Sequence, residues 1–148
     1  MAEAYELSAL EAREKIKEGT LTSERLIQSC LERINRRSGE VGAWTFIDPE
    51  LALLSAINSD KIGNLGSLGG LPIGVKDIID TKTMPTTYGS SIYGLNQPNK
   101  DAACVHKVRE HGGVILGKTV TTEFAWRNPG KTKNPHNPEH TPGGSSSG

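Results

Sequence analysis

Two short runs that are apolar on both faces, Leu71–Val75 and Val114–Leu116, restrict what this chain can fold into. Strands without a polar side belong inside a sheet covered on both faces, and helical patterns lie before and between them. The first run resumes after Lys76-Asp77 as Ile78-Ile79, which predicts one continuous buried strand. Asp101 is placed to cap a helix through Glu110, ended by Gly112-Gly113. Val114-Ile115-Leu116 then reads as a second buried strand with a polar end at Lys118-Thr119, and Thr122–Ala125 as a short helix. Upstream, Ser8 and Glu11 have capping-box spacing, with Gly19 as a stop. Thr22 caps a second helix, Leu21 and Leu26 are spaced as a hydrophobic staple, and Leu26, Ile27, Cys30, Leu31 and Ile34 form its apolar stripe. Arg36, Arg37 and Gly39 are expected to end it. Ala43–Ile47 is a strand candidate. Asp48-Pro49 opens a helix whose buried face is expected at Leu51, Leu54 and Ile57, and Ile62–Gly70 is a glycine-rich loop. The order α-α-β-α-β-α-β predicts a layered α/β fold.

Composition narrows the function classes. Seventeen basic side chains balance seventeen acidic ones, so the basic excess that nucleic-acid and membrane-surface proteins rely on is missing. A chain of 148 residues supports one core that buries roughly two-thirds of its surface. No run approaches the roughly 18 apolar residues of a membrane span. The N-terminus, Met1-Ala2-Glu3-Ala4-Tyr5-Glu6, is acidic and unlike a signal peptide. Cys30 and Cys104 lack CxxC spacing and read as free thiols, which makes the cytoplasm the expected location.

Gly112-Gly113-Val114-Ile115-Leu116-Gly117-Lys118-Thr119 matches the P-loop pattern GxxxxGK[ST]. A phosphate loop follows a strand and precedes a helix; here a helix comes first, and Val, Ile and Leu occupy the loop positions. Amides committed to a sheet ladder cannot cradle phosphate, so the match is read as coincidence. His106 and His111 lie five apart on a helix, off one face, and read as surface residues. His136 and His140 have no cysteine or carboxylate cluster to complete a metal site. Tyr88-Gly89-Ser90-Ser91 suits either a pocket lining or plain loop packing.

Two features carry chemistry. Lys76 lies between Ile73-Gly74-Val75 and Ile78-Ile79, apolar surroundings of the kind that desolvate an amine and make it a base. The alternatives are pairing with Asp77 or snorkelling at a strand end. Gly143-Gly144-Ser145-Ser146-Ser147-Gly148 has the composition of a flexible linker, yet two Asn-Pro pairs and a Thr-Pro lead into it and favour defined turns.

The stretches Gly69–Asp77, Ile115–Thr119, Thr122–Phe124 and Thr141–Gly148, in this order, resemble the amidase signature hydrolases, particularly their N-terminal third. Asn134-Pro135-His136-Asn137 looks more like the malonamidase-type amidases than the tRNA-dependent amidotransferase subunits. The resemblance implies an incomplete amidase signature fold: an N-terminal helical hairpin, then part of a mixed β-sheet layered with helices. Residues 1–148 would be the N-terminal portion of one such domain, with the hairpin in 1–40, an α/β part in 41–127 and a Pro/Gly/Ser-rich active-site loop in 128–148. It implies Lys76 as the base of a Ser–cis-Ser–Lys triad and Ser145 as the bridging serine. Ser146 and Ser147 are left as turn residues and candidates for substrate contact, and no metal or cofactor is implied. The family's nucleophilic serine lies further along than Gly148, so this chain is expected to be inactive alone. The implied reaction is hydrolysis of the C–N bond of a small-molecule carboxamide. The alternatives are an amidotransferase A-type subunit, which would imply partner subunits, and a non-catalytic truncated remnant. A sheet cut through its middle leaves open edges, so self-association, a homodimer in its simplest form, is expected.

Overall fold

The computed structural model describes residues 3–148. The chain forms two compact units. One gathers Met1–Asn35, Asp48–Ile73 and His106–Leu116; the other gathers Arg36–Ile47, Gly74–Val105 and Gly117–Gly148.

In the first unit, α1 (Ala9–Lys17) opens on the capping box that the sequence predicts. The Ser8 hydroxyl accepts the Glu11 N–H at 3.3 Å while the Glu11 carboxylate accepts the Ser8 N–H at 2.8 Å, satisfying two amides that a helix start leaves orphaned. Helix α2 (Ser23–Val41) begins after Thr22, whose hydroxyl accepts the Arg25 N–H. Ala12, Ile16, Leu26 and Leu71 form an apolar cluster, with Leu7, Leu21, Cys30 and Leu68 packed against it. Leu21 and Leu26 thus share one cluster, as a staple requires.

Arg36, Arg37 and Gly39 do not end α2, which runs on to Val41. A glycine inside a helix costs about 1 kcal/mol, too little to stop one. Termination falls at Gly42, where φ is +64° and the N–H bonds to Ser38 O.

Helix α3 (Pro49–Lys61) starts at Asp48, whose carboxylate accepts the Leu51 N–H at 3.0 Å. Its buried face differs from expectation. Ala52, Ala56 and Ser59 are buried, and Leu54 is 59% exposed. Small side chains let a helix lie close to its neighbours, and here that preference overrides the leucine spacing. The glycine loop before β2 is stitched to the end of α4 (Ala103–Glu110): Gly70 N–H bonds to Gly112 O, and Leu68 N–H to His111 O. Gly112 has φ +80°, and a Cβ there would stand 2.1 Å from Leu65 O, so no other residue fits. Helix α4 begins at Ala103; two residues earlier, the Asp101 carboxylate accepts the Lys82 N–H.

Three strands, β1 (Trp44–Ile47), β2 (Pro72–Lys76) and β3 (Val114–Thr119), form a sheet in the order β1-β3-β2. β1 pairs antiparallel with β3 through Trp44↔Thr119, Phe46↔Lys118 and Ile47↔Gly117, with a register shift after Trp44. β2 runs parallel to β3, with Leu71 O accepting the Val114 N–H at one end and Thr119 O accepting the Asp77 N–H at the other. The intervening α4 is the crossover that a parallel pair needs. The sheet is therefore mixed and the fold α/β. β2 is an edge strand, and the expected continuation at Ile78-Ile79 is a turn instead. β3 is central and buried from Val114 to Lys118, a strand where the P-loop pattern would need a loop. Lys118 is consequently no polar strand end; it is 0% exposed. Among the described residues no helix is long and apolar enough to cross a membrane.

Candidate active site

The geometry around Lys76 and Ser145 lies in the second unit. β2 delivers Lys76 as its last residue. Gly143–Gly148 is not a free linker. It lies along the segment just past β3, with an isolated antiparallel bridge between Thr121 and Ser146. The Ser147 and Gly148 amides both donate to Val120 O, and the Ser147 hydroxyl closes the loop on Gly143 O at 3.0 Å. The Gly144–Ser145 peptide is cis.

Lys76 Nζ donates to Ser145 Oγ at 2.6 Å. The Ser145 carbonyl is held from the other side, accepting the Thr122 N–H at 3.0 Å and the Thr121 hydroxyl at 3.2 Å. Lys76 and Ser145 are both half-buried, so the dry interior expected around Lys76 is only partly present. The lysine that is wholly removed from water is Lys118. Ser146 has its main chain in the bridge and its side chain exposed, whereas Ser147 is buried with its hydroxyl engaged within the loop. Sequence reasoning did not single out Thr121 and Thr122 for this task. The available signal was a pair of hydroxyl residues directly following a buried strand. Thr122 Oγ1 is buried without a hydrogen-bond partner.

Behind Lys76, the Asp77 carboxylate accepts the Thr87 N–H and hydroxyl and faces Lys118 Nζ at 3.2 Å. Burial pushes the Lys118 ammonium below its usual pKa, and the Asp77 carboxylate opposes that shift.

Thr45, Thr87, Gly89, Ser90, Thr121 and Lys131 help line a cleft of about 310 Å³. One wall is fastened to the Glu123–Ala125 turn, where Phe124 N–H donates to Tyr88 O and the Ser90 hydroxyl to Glu123 Oε1. Tyr88 and Phe124 both hold positive φ, +54° and +49°, a conformation costly for aromatic residues and maintained only by its surroundings. The Ser90 hydroxyl, and then Asn128, hold the Glu123 carboxyl below its ordinary pKa. The Tyr88 phenol is raised, chiefly by its hydrogen bond to Asp80. His106 pairs with Glu110, His111 Nδ1 lies 2.9 Å from Lys107 O, and both are exposed, as are His136 and His140.

Residues 25–148 match the sequence profile of the family described as Amidase. The A-type subunit of glutamyl-tRNA(Gln) amidotransferase from Lachnospira eligens is 38% identical over 151 residues, covering 95% of this chain and 31% of that protein. Its namesake from Lysinibacillus sphaericus is 40% identical over 150 residues, covering 96% and 31% respectively. Among solved structures, native peptide amidase from Stenotrophomonas maltophilia aligns with a TM-score of 0.88 at 32% identity, over 97% of this chain and 33% of that one. The chain spans about a third of the length of the relatives it matches.

Proposed function

The chain belongs to the amidase family, and on that footing we propose that Lys76 and Ser145 are the proton-relay half of a centre that cleaves carboxamide C–N bonds. One observation supports this reading above the others: an amine and a hydroxyl, 69 positions apart in sequence, meet at 2.6 Å. The nucleophilic serine that such a relay serves is a third residue, distinct from Lys76 and Ser145. Its hydroxyl proton passes to Ser145 Oγ as Ser145 gives its own proton to the Lys76 amine, which acts as the base. The freed oxygen forms a bond to the carbonyl carbon. When the tetrahedral adduct collapses, the C–N bond breaks and the leaving nitrogen takes a proton back along the same path. Water then hydrolyses the acyl-serine with the relay acting again.

The Asn134–Asn137 likeness to malonamidase-type enzymes concerns exposed or half-exposed residues, and the relatives above are of other types, so the amide bond rather than a malonamide defines the substrate class. A second reading is favoured by the relatives at 38% and 40% identity, named as amidotransferase subunits. In it, the substrate amide is that of glutamine and the ammonia passes to partner subunits. We place the protein in the cytoplasm, where its two free thiols stay reduced.

The test is ammonia release from glutamine and from a C-terminally amidated peptide. It is run on a full-length amidase carrying these residues and on its variants. In the full-length enzyme, Lys76→Ala is expected to lose about 10²–10⁴-fold in kcat, the contribution of a positioned base. Unchanged turnover in Lys76→Ala would overturn the assignment, and preference for glutamine over the peptide amide selects the second reading.

A further inference from the structure

We propose that Asp77 and Lys118 form a buried ion-pair clamp that positions Lys76, making both of them positioning residues for the relay; the inference rests on the reading of Lys76 given above. Asp77 is 1% exposed and Lys118 0%. Removing two opposite charges from water costs as much as their attraction returns, so such a pair is a poor device for stability alone. Its geometry points to a different use. Lys118 Nζ has three acceptors for its three protons, namely Asp77 Oδ1 at 3.2 Å, Thr86 Oγ1 at 2.6 Å and Pro85 O at 3.2 Å. With every N–H directed inward, Lys118 is held as a fixed cation and has nothing left to offer a substrate.

Asp77 is bound just as completely, and it is the residue next to Lys76. Its N–H donates to Thr119 O at 2.9 Å and its carbonyl accepts the Tyr88 N–H at 2.9 Å. Its carboxylate accepts from the Thr87 N–H and hydroxyl as well as from Lys118. Asp77 and Lys118–Thr119 are therefore tied by main chain and side chain at the end of β2, where the strand hands over to a turn. A main chain fixed immediately beside the base lets a long, flexible lysine reach Ser145 in one geometry. The lysine of the P-loop-like stretch thus acquires a role that has nothing to do with phosphate.

The experiment measures the reactivity of the Lys76 amine, which requires no amide turnover. The 148-residue chain receives a short pulse of acetic anhydride, and acetylation at Lys76 is read by mass spectrometry against exposed Lys131 in the same molecule. Changing one partner strands a buried charge, so the pair is changed together in Asp77→Asn/Lys118→Met, which leaves an acceptor for Thr87. The Lys76/Lys131 ratio is expected to rise about five-fold, the factor that release from one ordinary hydrogen bond gives. A folded variant whose ratio stays within about twofold of wild type overturns the clamp, because a purely structural pair would lower the melting temperature without favouring one lysine. Thr87→Val removes a single bond to the carboxylate and keeps the question open to test if the double variant does not fold; a raised ratio supports the clamp and an unchanged one rejects it. Ser145→Ala separates the two readings. If it leaves the ratio unchanged, the Lys76–Ser145 contact fails, whereas a rise in Ser145→Ala with none in the clamp variants rejects the clamp alone.

Discussion

The Thr122 N–H donates to Ser145 O at 3.0 Å, and this bond ties the glycine-serine loop to the segment following β3. Ser145 is thereby gripped at both ends, by Thr122 and Thr121 at its carbonyl and by Lys76 at its hydroxyl. The loop packs closely enough to exclude a side chain one residue earlier. A Cβ on Gly144 would lie 2.7 Å from Thr122 Cγ2, and a β-branched methyl cannot swing aside.

Gly144→Ala is therefore expected to destabilise the chain by about 1–3 kcal/mol, the range for overpacking a tight site. Thr122→Ser removes the offending methyl and retains the hydroxyl, so the double variant should recover most of the loss. Urea denaturation of the four proteins in the cycle measures the coupling. If the two losses simply add, the contact does not exist in solution.

A carboxylate from α3 does more for α2 than its own first residues do. Asp60 accepts the Ser23 and Glu24 amides at 2.8 and 2.9 Å and the Asn64 side-chain amide at 2.9 Å. A negative charge at a helix N-terminus also meets the positive end of the helix dipole. Asp60→Ala should cost about 1.5–3 kcal/mol, and Asp60→Asn less because an acceptor remains. Equal losses for the two variants in a urea melt would show that the retained acceptor contributes nothing, and no loss in either would show that charge and capping are irrelevant here.

The contrast between Thr22 and Asp60 explains which parts of the molecule were legible in advance. Ser8–Glu11, Thr22–Arg25 and Asp48–Leu51 bond within one helical turn, so each is visible as a short spacing. Ser23–Asp60 spans 37 positions and Lys76–Ser145 spans 69, distances over which periodicity carries no information. Lys76 is legible as a candidate base from its apolar neighbours, whereas Ser145 as its partner follows only from a family resemblance. Asp77–Lys118 and the Thr121–Thr122 grip were not reached at all. α3 misled for a related reason: leucine spacing reports where apolar surface is available, while close packing chose Ala52 and Ala56. Gly39 misled because a glycine ends a helix only where the chain turns to positive φ, which happens at Gly42.

The α1 capping box gives a pH-dependent prediction. Ser8→Ala should cost about 1 kcal/mol at neutral pH. The Ser8 hydroxyl, followed by its N–H, holds the Glu11 carboxyl below its usual 4.5. A depressed carboxyl contributes stability that is present above its unfolded value and lost as pH falls through the folded one. The gap between wild type and Ser8→Ala should therefore close as pH drops below 4.5. A gap of constant size from neutral to acid pH, read from urea midpoints, would rule out the Ser8–Glu11 link.

Cys30 should act in the opposite pH range. It is half-buried against the Ala12–Ile16–Leu26–Leu71 cluster, and burial pushes its thiol above the usual 9.0. In the unfolded chain the thiol ionises first, so between the unfolded and folded values the native state binds more protons. Stability linked to this group is thus fully present below pH 9.0 and declines as pH rises above it. Cys30→Ala abolishes that titration while leaving the raised Tyr88 phenol in both proteins. Wild type should accordingly lose stability more steeply than Cys30→Ala above pH 9.0, measured by urea denaturation under reducing conditions. A thiol-specific reagent at neutral pH should label exposed Cys104 well before Cys30. Parallel stability curves for the two proteins, or equal labelling rates for the two thiols, would mean that Cys30 is open to water in solution.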